Sequence, residues 1–176
     1  MGLLLATLCL LMGCPASPPE QPDSGDVPVE CLSVDPWLEI GTGEAAFEAF
    51  PEPPAVVMVH GPQGGWHVLG SARIWHTSEF VRITYTITDV ASGQRVALNQ
   101  YSVALQMDDD CSGTFVGMYA FLDVASLATD ELTTPPQLLF DHELLVSMSI
   151  EDEDGRTATA EATVTAQRDP DDIPSD

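Results

Sequence analysis

The sequence predicts an all-β fold, an antiparallel β-sandwich of seven or eight strands in one domain. Three observations lead to this prediction. Apolar and polar residues alternate with period two in several stretches, which is typical of half-buried strands. Turn residues separate these stretches at spacings of roughly 8–15 residues, as in known sandwiches. No long stretch has the apolar periodicity of an amphipathic helix.

Three stretches show the alternation most clearly. Between residues 81 and 88, Val, Ile and Tyr alternate with Arg and Thr, and similar patterns run through 144–151 and 157–166. Asp154-Gly155 lies between the last two stretches, and Asp-Gly is a strong hairpin signal. Further strands are predicted at 38–40, 55–60, 67–75, 95–107 and 114–122.

The charge balance excludes one class of partner. The chain has 176 residues, with 28 acidic side chains against five basic ones, all of them Arg, and a formal net charge of −23. Binding to duplex nucleic acid needs clustered Lys and Arg to neutralise phosphates, so no nucleic-acid partner is expected. Docking on anionic lipid head groups through protein charge is disfavoured for the same reason.

Residues 1–13 form an uncharged apolar stretch that is shorter than the roughly 20 residues a membrane-spanning helix needs. We interpret it as a secretory signal peptide. It ends in Leu11-Met12-Gly13-Cys14, which resembles the lipobox of bacterial lipoproteins. The resemblance implies that Cys14 is lipidated and anchors the mature chain in the bacterial envelope. Pro15, where an Asp marks inner-membrane retention in that family, implies the outer membrane. An ordinary cleaved signal followed by a coincidental Cys is the alternative.

The rest of the chain divides into a tether, a domain and a tail. Residues 14–28 hold the lipidated Cys and a Pro-rich run, which is expected to be a semi-rigid spacer of about 40 Å at most. The β-sandwich domain is expected over 29–167 and an acidic disordered tail over 168–176.

The two remaining cysteines are expected to pair. With Cys9 in the signal peptide and Cys14 lipidated, Cys31 and Cys111 are left in an oxidising compartment, which predicts a disulfide. Two free thiols or a metal pair are the alternatives, although no Cys-x-x-Cys motif is present. An up-and-down strand count, with 38–42 and 55–60 as one split strand, places both cysteines at the end of the sandwich that carries loops 76–79, 108–113 and 151–155.

The hairpin that runs from Leu144 through Asp154-Gly155 to Ala166 resembles the closing pair of strands in immunoglobulin-like bacterial surface modules. This resemblance implies an immunoglobulin-like sandwich, without the Cys-Trp-Cys spacing of antibody domains. The segment 59–67 resembles a segment of uncharacterised bacterial lipoproteins, and no activity follows from that resemblance.

Two acidic loops at the predicted shared end form a candidate Ca²⁺ site. Ca²⁺ favours about six to eight oxygen ligands, which carboxylates in sandwich loops often supply. The hypothesis places a low-affinity site between loops 108–110 and 151–154, although neither loop has EF-hand spacing. The alternative is that the carboxylates are solvated hairpin tips that keep an acidic protein soluble. The candidate ligands are Asp108, Asp109, Asp110, Asp152 and Asp154.

A second candidate metal site involves histidines. His60 and His67 flank a Gly-rich turn and are predicted to face each other across it, with Met58 nearby. Two imidazoles and a thioether suit a soft metal, although no third strong ligand is evident. The alternative is a polar hairpin rim without function.

No catalytic motif indicates an enzyme, since the Gly-x-Ser-x-Gly and His-Glu-x-x-His patterns and a spare nucleophilic Cys are absent from the sequence. We therefore expect a lipid-anchored, non-catalytic binding or structural module, used for protein interaction or adhesion. Its partner would be an unidentified envelope or extracellular protein. The alternatives are a Ca²⁺-dependent surface module, a His-based metal-binding protein and an enzyme whose site the sequence does not display. Apart from Ca²⁺, no cofactor is indicated.

Overall fold

The fold is all-β, as predicted. A computed structural model describes residues 27–61, 64–128 and 133–170. The predicted signal peptide 1–13, Cys14, most of the predicted tether and residues 171–176 of the predicted tail lie outside these ranges. Within them the chain forms eight strands and two short helices. In chain order these are α1 Val29–Leu32, β1 Trp37–Gly41, β2 Ala55–His60, β3 Trp66–Trp75, β4 Phe80–Asp89, β5 Arg95–Ala104, β6 Ser112–Phe121, α2 Pro135–Leu139, β7 Glu143–Asp152 and β8 Thr157–Arg168.

The eight strands belong to one hydrogen-bonded sheet. β3 pairs with β6 along one side, while β1 and β2 share its other side, β1 at residues 71–75 and β2 at residues 66–68. β2 pairs in turn with β8, and the sheet continues through β7 and β4 to β5. β1 and β2 therefore form the split first strand that the sequence predicts. The sheet curls so that β5 and β6, at its two ends, contact each other.

The prediction of a fully antiparallel arrangement is wrong for one pair. β2 and β8 run parallel, with Ala55 opposite Thr165 and Met58 opposite Arg168. The turn signals that led to the antiparallel prediction report only on strands joined by short loops, whereas β2 and β8 are about a hundred residues apart in the sequence. This parallel pair also joins the two halves of the molecule into a single mixed sheet.

The core lies on the inner face of the curled sheet, where the predicted alternation is confirmed. Val81, Ile83, Tyr85 and Ile87 on β4 are buried, as are Leu144, Val146, Met148 and Ile150 on β7. The two sides of the curl approach closely, because a Cβ added to Gly70 on β3 would lie 2.5 Å from a Tyr85 ring carbon. Burial of each of these large apolar side chains contributes about 1.5–3 kcal/mol to the free energy of unfolding, so the packing of this core is the main source of stability.

A disulfide joins Cys31 in α1 to Cys111 just before β6, in agreement with the predicted pairing. The Cα atoms are 5.4 Å apart and the bond spans 80 residues of sequence. The bond links α1, which precedes β1, to the loop that follows β5. It therefore closes the segment of chain that contains β1 to β5. The residues around this bond, with loops 76–79, 108–111 and 153–156, are called the disulfide end below.

Candidate functional site

The loops at the disulfide end contact one another, which confirms the predicted grouping of these loops with both cysteines. The Ser78 backbone N–H donates to Asp152 Oδ2 at 3.2 Å, and the His76 N–H donates to the Cys111 carbonyl at 3.0 Å. The Arg156 guanidinium donates to the backbone carbonyls of His76 and Val34. Arg156 thus fastens the β3–β4 turn and the segment after α1 to the β7–β8 turn.

Asp152 is the centre of this network. Its carboxylate is buried and accepts hydrogen bonds from the backbone N–H groups of Ser78, Asp154 and Arg156 at 2.8–3.2 Å. Its Oδ2 also lies 3.9 Å from Arg156 Nη1. A carboxylate has about four acceptor positions, so donors of the chain itself occupy most of those of Asp152. Asp152 therefore holds the turn together and has little capacity left for a cation.

The other predicted Ca²⁺ ligands do not gather around one point. Asp108, Asp109, Asp110 and Asp154 are exposed. Asp110 Oδ1 accepts hydrogen bonds from the Ser112 hydroxyl at 2.6 Å and the Ser112 N–H at 3.1 Å, and these bonds lower the pKa of the Asp110 carboxyl. Across residues 27–61, 64–128 and 133–170, no group of three or more His, Cys, Asp or Glu side chains is placed to hold a metal ion. The Ca²⁺ hypothesis stays a prediction without support from the described geometry.

His60 and His67 do not face each other as predicted. In the β2–β3 hairpin, His60 lies opposite Trp66 and His67 lies opposite Val59. Because neighbouring residues of a strand point to opposite faces, the two imidazoles lie on opposite faces of the sheet. The His60 ring contacts Trp66, with ring centroids 5.0 Å apart, whereas the buried His67 ring contacts Tyr119 at 4.7 Å. Burial lowers the pKa of His67.

Asp89, Ser92 and His142 form a cluster that the sequence analysis missed. Asp89 at the end of β4 is 2% exposed, and its Oδ2 accepts from the Ser92 hydroxyl at 2.5 Å and the Ser92 N–H at 2.9 Å. His142 Nδ1 lies 2.9 Å from Asp89 Oδ1. The hydroxyl and the imidazole both bind the carboxylate and not each other, so His142 is not placed to take a proton from Ser92. The Asp-x-x-Ser-Gly turn pattern is the signal that indicates the Ser92 bonds; nothing local indicates His142.

The outer edge of β5 is a candidate surface for recognition. β5 pairs with β4 alone within the part of the chain that the structure describes. The Leu105 N–H donates to the Glu79 carbonyl, which is the residue directly opposite. Since hydrogen-bonded and non-hydrogen-bonded pairs alternate along an antiparallel ladder, every second residue of β5 directs its N–H and C=O away from β4. These residues are Leu98, Gln100, Ser102 and Ala104, and they are called the β5 edge below.

The edge of β6 that faces β5 is protected in a way that the β5 edge is not. The Tyr101 hydroxyl accepts from the Tyr119 N–H at 2.8 Å and donates to the Tyr119 carbonyl at 2.6 Å. Asn99 Oδ1 accepts from the Phe121 N–H at 3.0 Å. Side chains of β5 therefore satisfy the backbone of β6, and no described hydrogen bond between residues 27 and 170 satisfies the outward groups of the β5 edge.

A hollow lies beside each end of the β5 edge. The first, of about 270 Å³, is lined by Leu98 and Phe121, whose residues are 47% and 56% exposed, and by Arg95 and Asp123. The second, of about 420 Å³, lies against Ser102 and Ala104. Its other lining residues include Phe80, which is 50% exposed, the Arg82–Glu151 ion pair at 3.4 Å, and Glu153. The β5 edge is thus flanked by exposed apolar side chains and by carboxylates.

Comparison with protein-family models and with curated proteins finds no match for this chain.

Among the described residues, neither helix has the length and apolar character required to cross a membrane.

Proposed function

We propose that the protein is a non-catalytic protein-binding module of the bacterial envelope, which binds its partner through the β5 edge and the adjoining hollow at Leu98 and Phe121. The observation that carries the proposal is the unpaired edge itself. Unpaired strand edges template pairing with other chains, and proteins normally protect them. Here the edge of β6 is capped by Tyr101 and Asn99 while the β5 edge is open.

The exposed apolar side chains beside the edge support the same proposal. Leu98 and Phe121 come from different strands and line one hollow, so their exposed surfaces adjoin. Adjoining exposed apolar groups rimmed by polar residues are typical of protein-interaction sites. The buried carboxylates that a catalytic site would use, Asp89 and Asp152, are instead bonded to turn N–H groups, which favours a binding role over catalysis.

We further propose that the domain is an immunoglobulin-like β-sandwich. In the seven-stranded form of that fold the first, second, fourth and fifth strands form one layer, and the third, sixth and seventh strands form the other. Counting the split β1–β2 as the first strand, β1, β3 and β6 pair as in the first layer, and β4, β7 and β8 pair as in the second. β5, the fourth strand in this count, pairs with β4 instead, at the edge position that variable-type domains add to the second layer.

Site-specific photocrosslinking in cells tests the binding site. A photoreactive amino acid is placed at position 98 or 121, or at position 159 as a control, because Thr159 is exposed on β8 and separated from β5 by β7 and β4. Photochemistry suits this chain, which contains no Lys for amine-reactive reagents. We expect the same discrete adduct from positions 98 and 121 and none from position 159. The absence of adducts, or equal adducts from all three positions, would contradict the proposal.

The anchor is tested separately. We propose, from the resemblance of Leu11-Met12-Gly13-Cys14 to a lipobox, that lipid on Cys14 holds the protein at the outer membrane. Metabolic labelling with a palmitate analogue is expected to mark the wild type and a Cys9→Ser variant but not Cys14→Ser. The Cys14→Ser variant is also expected to leave the outer-membrane fraction. Undiminished labelling of Cys14→Ser would show that the assignment is wrong.

A further inference from the structure

We propose that the β5 edge binds an extended, cationic segment of the partner protein by strand addition, so that this segment becomes a further strand beside β5. The inference rests on the proposed function and names the chemistry of the partner. In strand addition, main-chain hydrogen bonds supply affinity, and the side chains of the added strand supply specificity. Both components have counterparts beside β5.

The backbone component comes from the four residues of the β5 edge. Each directs one N–H and one C=O outward, as the Leu105–Glu79 hydrogen bond and the strand register require. The Val96 carbonyl, which also points outward, already accepts a hydrogen bond from the Asp123 N–H at 2.7 Å. An incoming strand therefore has bonding positions from Leu98 to Ala104 and ends where the β6–α2 connection covers Val96.

The charge of the molecule selects a cationic segment. The chain carries a formal charge of −23 with only five Arg residues. Three of these lie within 4 Å of carboxylates of the same chain: Arg73 with Glu39, Arg82 with Glu151 and Arg156 with Asp152. The hollow at the Ala104 end is lined by Glu151 and Glu153 with Arg82, whereas Arg95 lines the same hollow as Asp123 at the Leu98 end and offsets its charge. A segment with Lys or Arg at the end nearest Ala104 is attracted to Glu153, and the overall charge of −23 repels an acidic segment.

The same charge argues against a second copy of this chain as the occupant. Pairing two β5 edges would bring together two molecules of charge −23. In an antiparallel pair, the hollow at the Ala104 end of one copy would face the hollow of the other copy that is lined by both Arg95 and Asp123, so the repulsion comes from the overall charge. Two molecules of this charge repel each other, so a strand of a different protein fits the edge better.

The exposed apolar residues beside the β5 edge determine where along that edge the segment binds. Leu98 and Phe121 offer an apolar surface at one end of the edge, and Phe80 offers one at the other. Alternate side chains of an added strand point to the same face, so a segment with β-branched residues at every second position contacts these side chains. A Lys or Arg at its Ala104 end then lies beside Glu153.

Peptide binding to the full chain, purified in a nonionic detergent, tests the proposal. The probe is a capped nine-residue fluorescent peptide of alternating Thr and Val with Lys at both ends, and the matched peptide carries Glu in place of Lys. We expect the Lys peptide to bind at least tenfold more tightly than the Glu peptide, with an advantage that falls as salt rises. We also expect it to slow hydrogen exchange at the Gln100, Ser102 and Ala104 amides.

Two substitutions at Ser102 locate the binding to the edge. Ser102→Pro removes an outward N–H that the β4 ladder does not use, which edge strands tolerate, and is expected to weaken binding at least tenfold. Ser102→Lys adds a repelling charge and serves if the Pro variant does not fold. Thr159→Lys adds the same charge on β8 and is expected to bind the Lys peptide within twofold of wild type.

Three results would overturn the proposal: no binding of the Lys peptide, equal binding of both peptides, or binding unchanged by the Ser102 substitutions. A dimer in sedimentation experiments that Ser102→Pro abolishes would also overturn it, because the occupant of the edge would then be a second copy. If these tests fail while position-specific crosslinks at residues 98 and 121 persist, strand addition is wrong and the proposed binding function stands. Failure of the crosslinks contradicts the proposed function itself.

Discussion

Asp89 and Asp152 each stabilise a hairpin turn at the end of a strand. Asp89 accepts hydrogen bonds from Ser92 in the β4–β5 turn, and Asp152 accepts them from Asp154 and Arg156 in the β7–β8 turn. Both are buried, although Asp152 belongs to the acidic run 151–154 and such runs usually face water. Their burial is tolerated because every bond replaces one to water, which is the general condition for placing a carboxylate inside a protein.

Replacement of Asp152 is expected to cost far more stability than replacement of its neighbour. Asp152→Ala leaves three backbone N–H groups without their acceptor and removes the carboxylate that lies 3.9 Å from Arg156 Nη1, so we expect the free energy of unfolding to fall by about 3 kcal/mol. Asp154→Ala, at an exposed side chain in the same turn, is the matched control and is expected to change it by less than about 0.5 kcal/mol. Urea denaturation at pH 7 measures both. Equal effects would mean that the Asp152 network contributes little.

Asp89 is expected to make stability depend on pH in the acid range. Burial alone raises the pKa of its carboxyl, but hydrogen bonds from Ser92 and His142 outweigh that effect, so the pKa lies below its ordinary value of 3.8. A carboxyl whose pKa is lower in the folded state stabilises the fold above its unfolded pKa. That contribution disappears as the pH falls through the folded pKa.

The Asp89→Asn variant isolates this contribution. We expect it to be less stable than the wild type at pH 7 and to approach the wild type as the pH falls below about 4. Urea denaturation across this range measures the difference, with Asp154→Asn as the control for a general loss of one negative charge. A difference between wild type and Asp89→Asn that is the same at pH 7 and pH 3 would contradict the assignment.

At the scale of elements, the disulfide is expected to be the strongest single constraint on the chain. It closes a loop of 80 residues, and loop-closure entropy assigns such a bond about 4 kcal/mol. We expect the Cys31→Ala/Cys111→Ala double variant to lose about this much unfolding free energy in urea. In a chain with Cys9 and Cys14 replaced by Ser, thiol reagents should label neither remaining Cys in the folded, unreduced protein. Labelling of both would contradict the pairing.

The strands could be predicted closely from the sequence because alternation is a local signal. The Leu144–Ile150 pattern and the Asp154-Gly155 turn place the β7–β8 hairpin correctly, and Gly155 has the positive φ that such a turn needs. The parallel β2–β8 pair could not be predicted, since nothing within either strand specifies a partner so distant in the sequence. For the same reason, the local pattern predicts a strand over 95–107, of which the structure forms Arg95–Ala104, without showing that it lies at an edge.

The same distinction, between what a local pattern specifies and what it does not, applies to the candidate sites. The grouping of Cys31, Cys111 and the acidic loops follows from the direction of successive strands, which a correct strand count supplies. The prediction that His60 and His67 face each other is wrong because it depends on the register of β2 and β3. A shift of one residue in that register moves a side chain to the other face of the sheet. The β6 caps at Tyr101 and Asn99 depend on how far the sheet curls, which no local pattern contains.

At the scale of the whole molecule, the net charge of −23 makes any cation stabilising through screening, so a specific Ca²⁺ site must be separated from this general effect. We expect Ca²⁺ and Mg²⁺, each at millimolar concentration and fixed ionic strength, to raise the melting temperature of the EDTA-treated protein equally. The reason is that Asp152 is saturated by its own chain and the other candidate carboxylates are dispersed. A ligand at 100 times its Kd adds about 2.7 kcal/mol, so a rise of several degrees with Ca²⁺ alone would restore the Ca²⁺ hypothesis.

The position of the disulfide also determines how the domain responds to mechanical force. In the arrangement that we propose, the protein is anchored through its N-terminal side and bound to a partner, and it is pulled between those two points. Strands β1 to β5 all lie between Cys31 and Cys111, inside the covalently closed loop of 80 residues. Tension that enters before Cys31 passes through the sulfur atoms directly to the start of β6, so it cannot stretch that loop end to end. From Cys111 only residues 105–110 separate the disulfide from β5, so the covalent route from the N-terminal side to the strand that we propose binds the partner is short, and tension along it does not draw out β1 to β4.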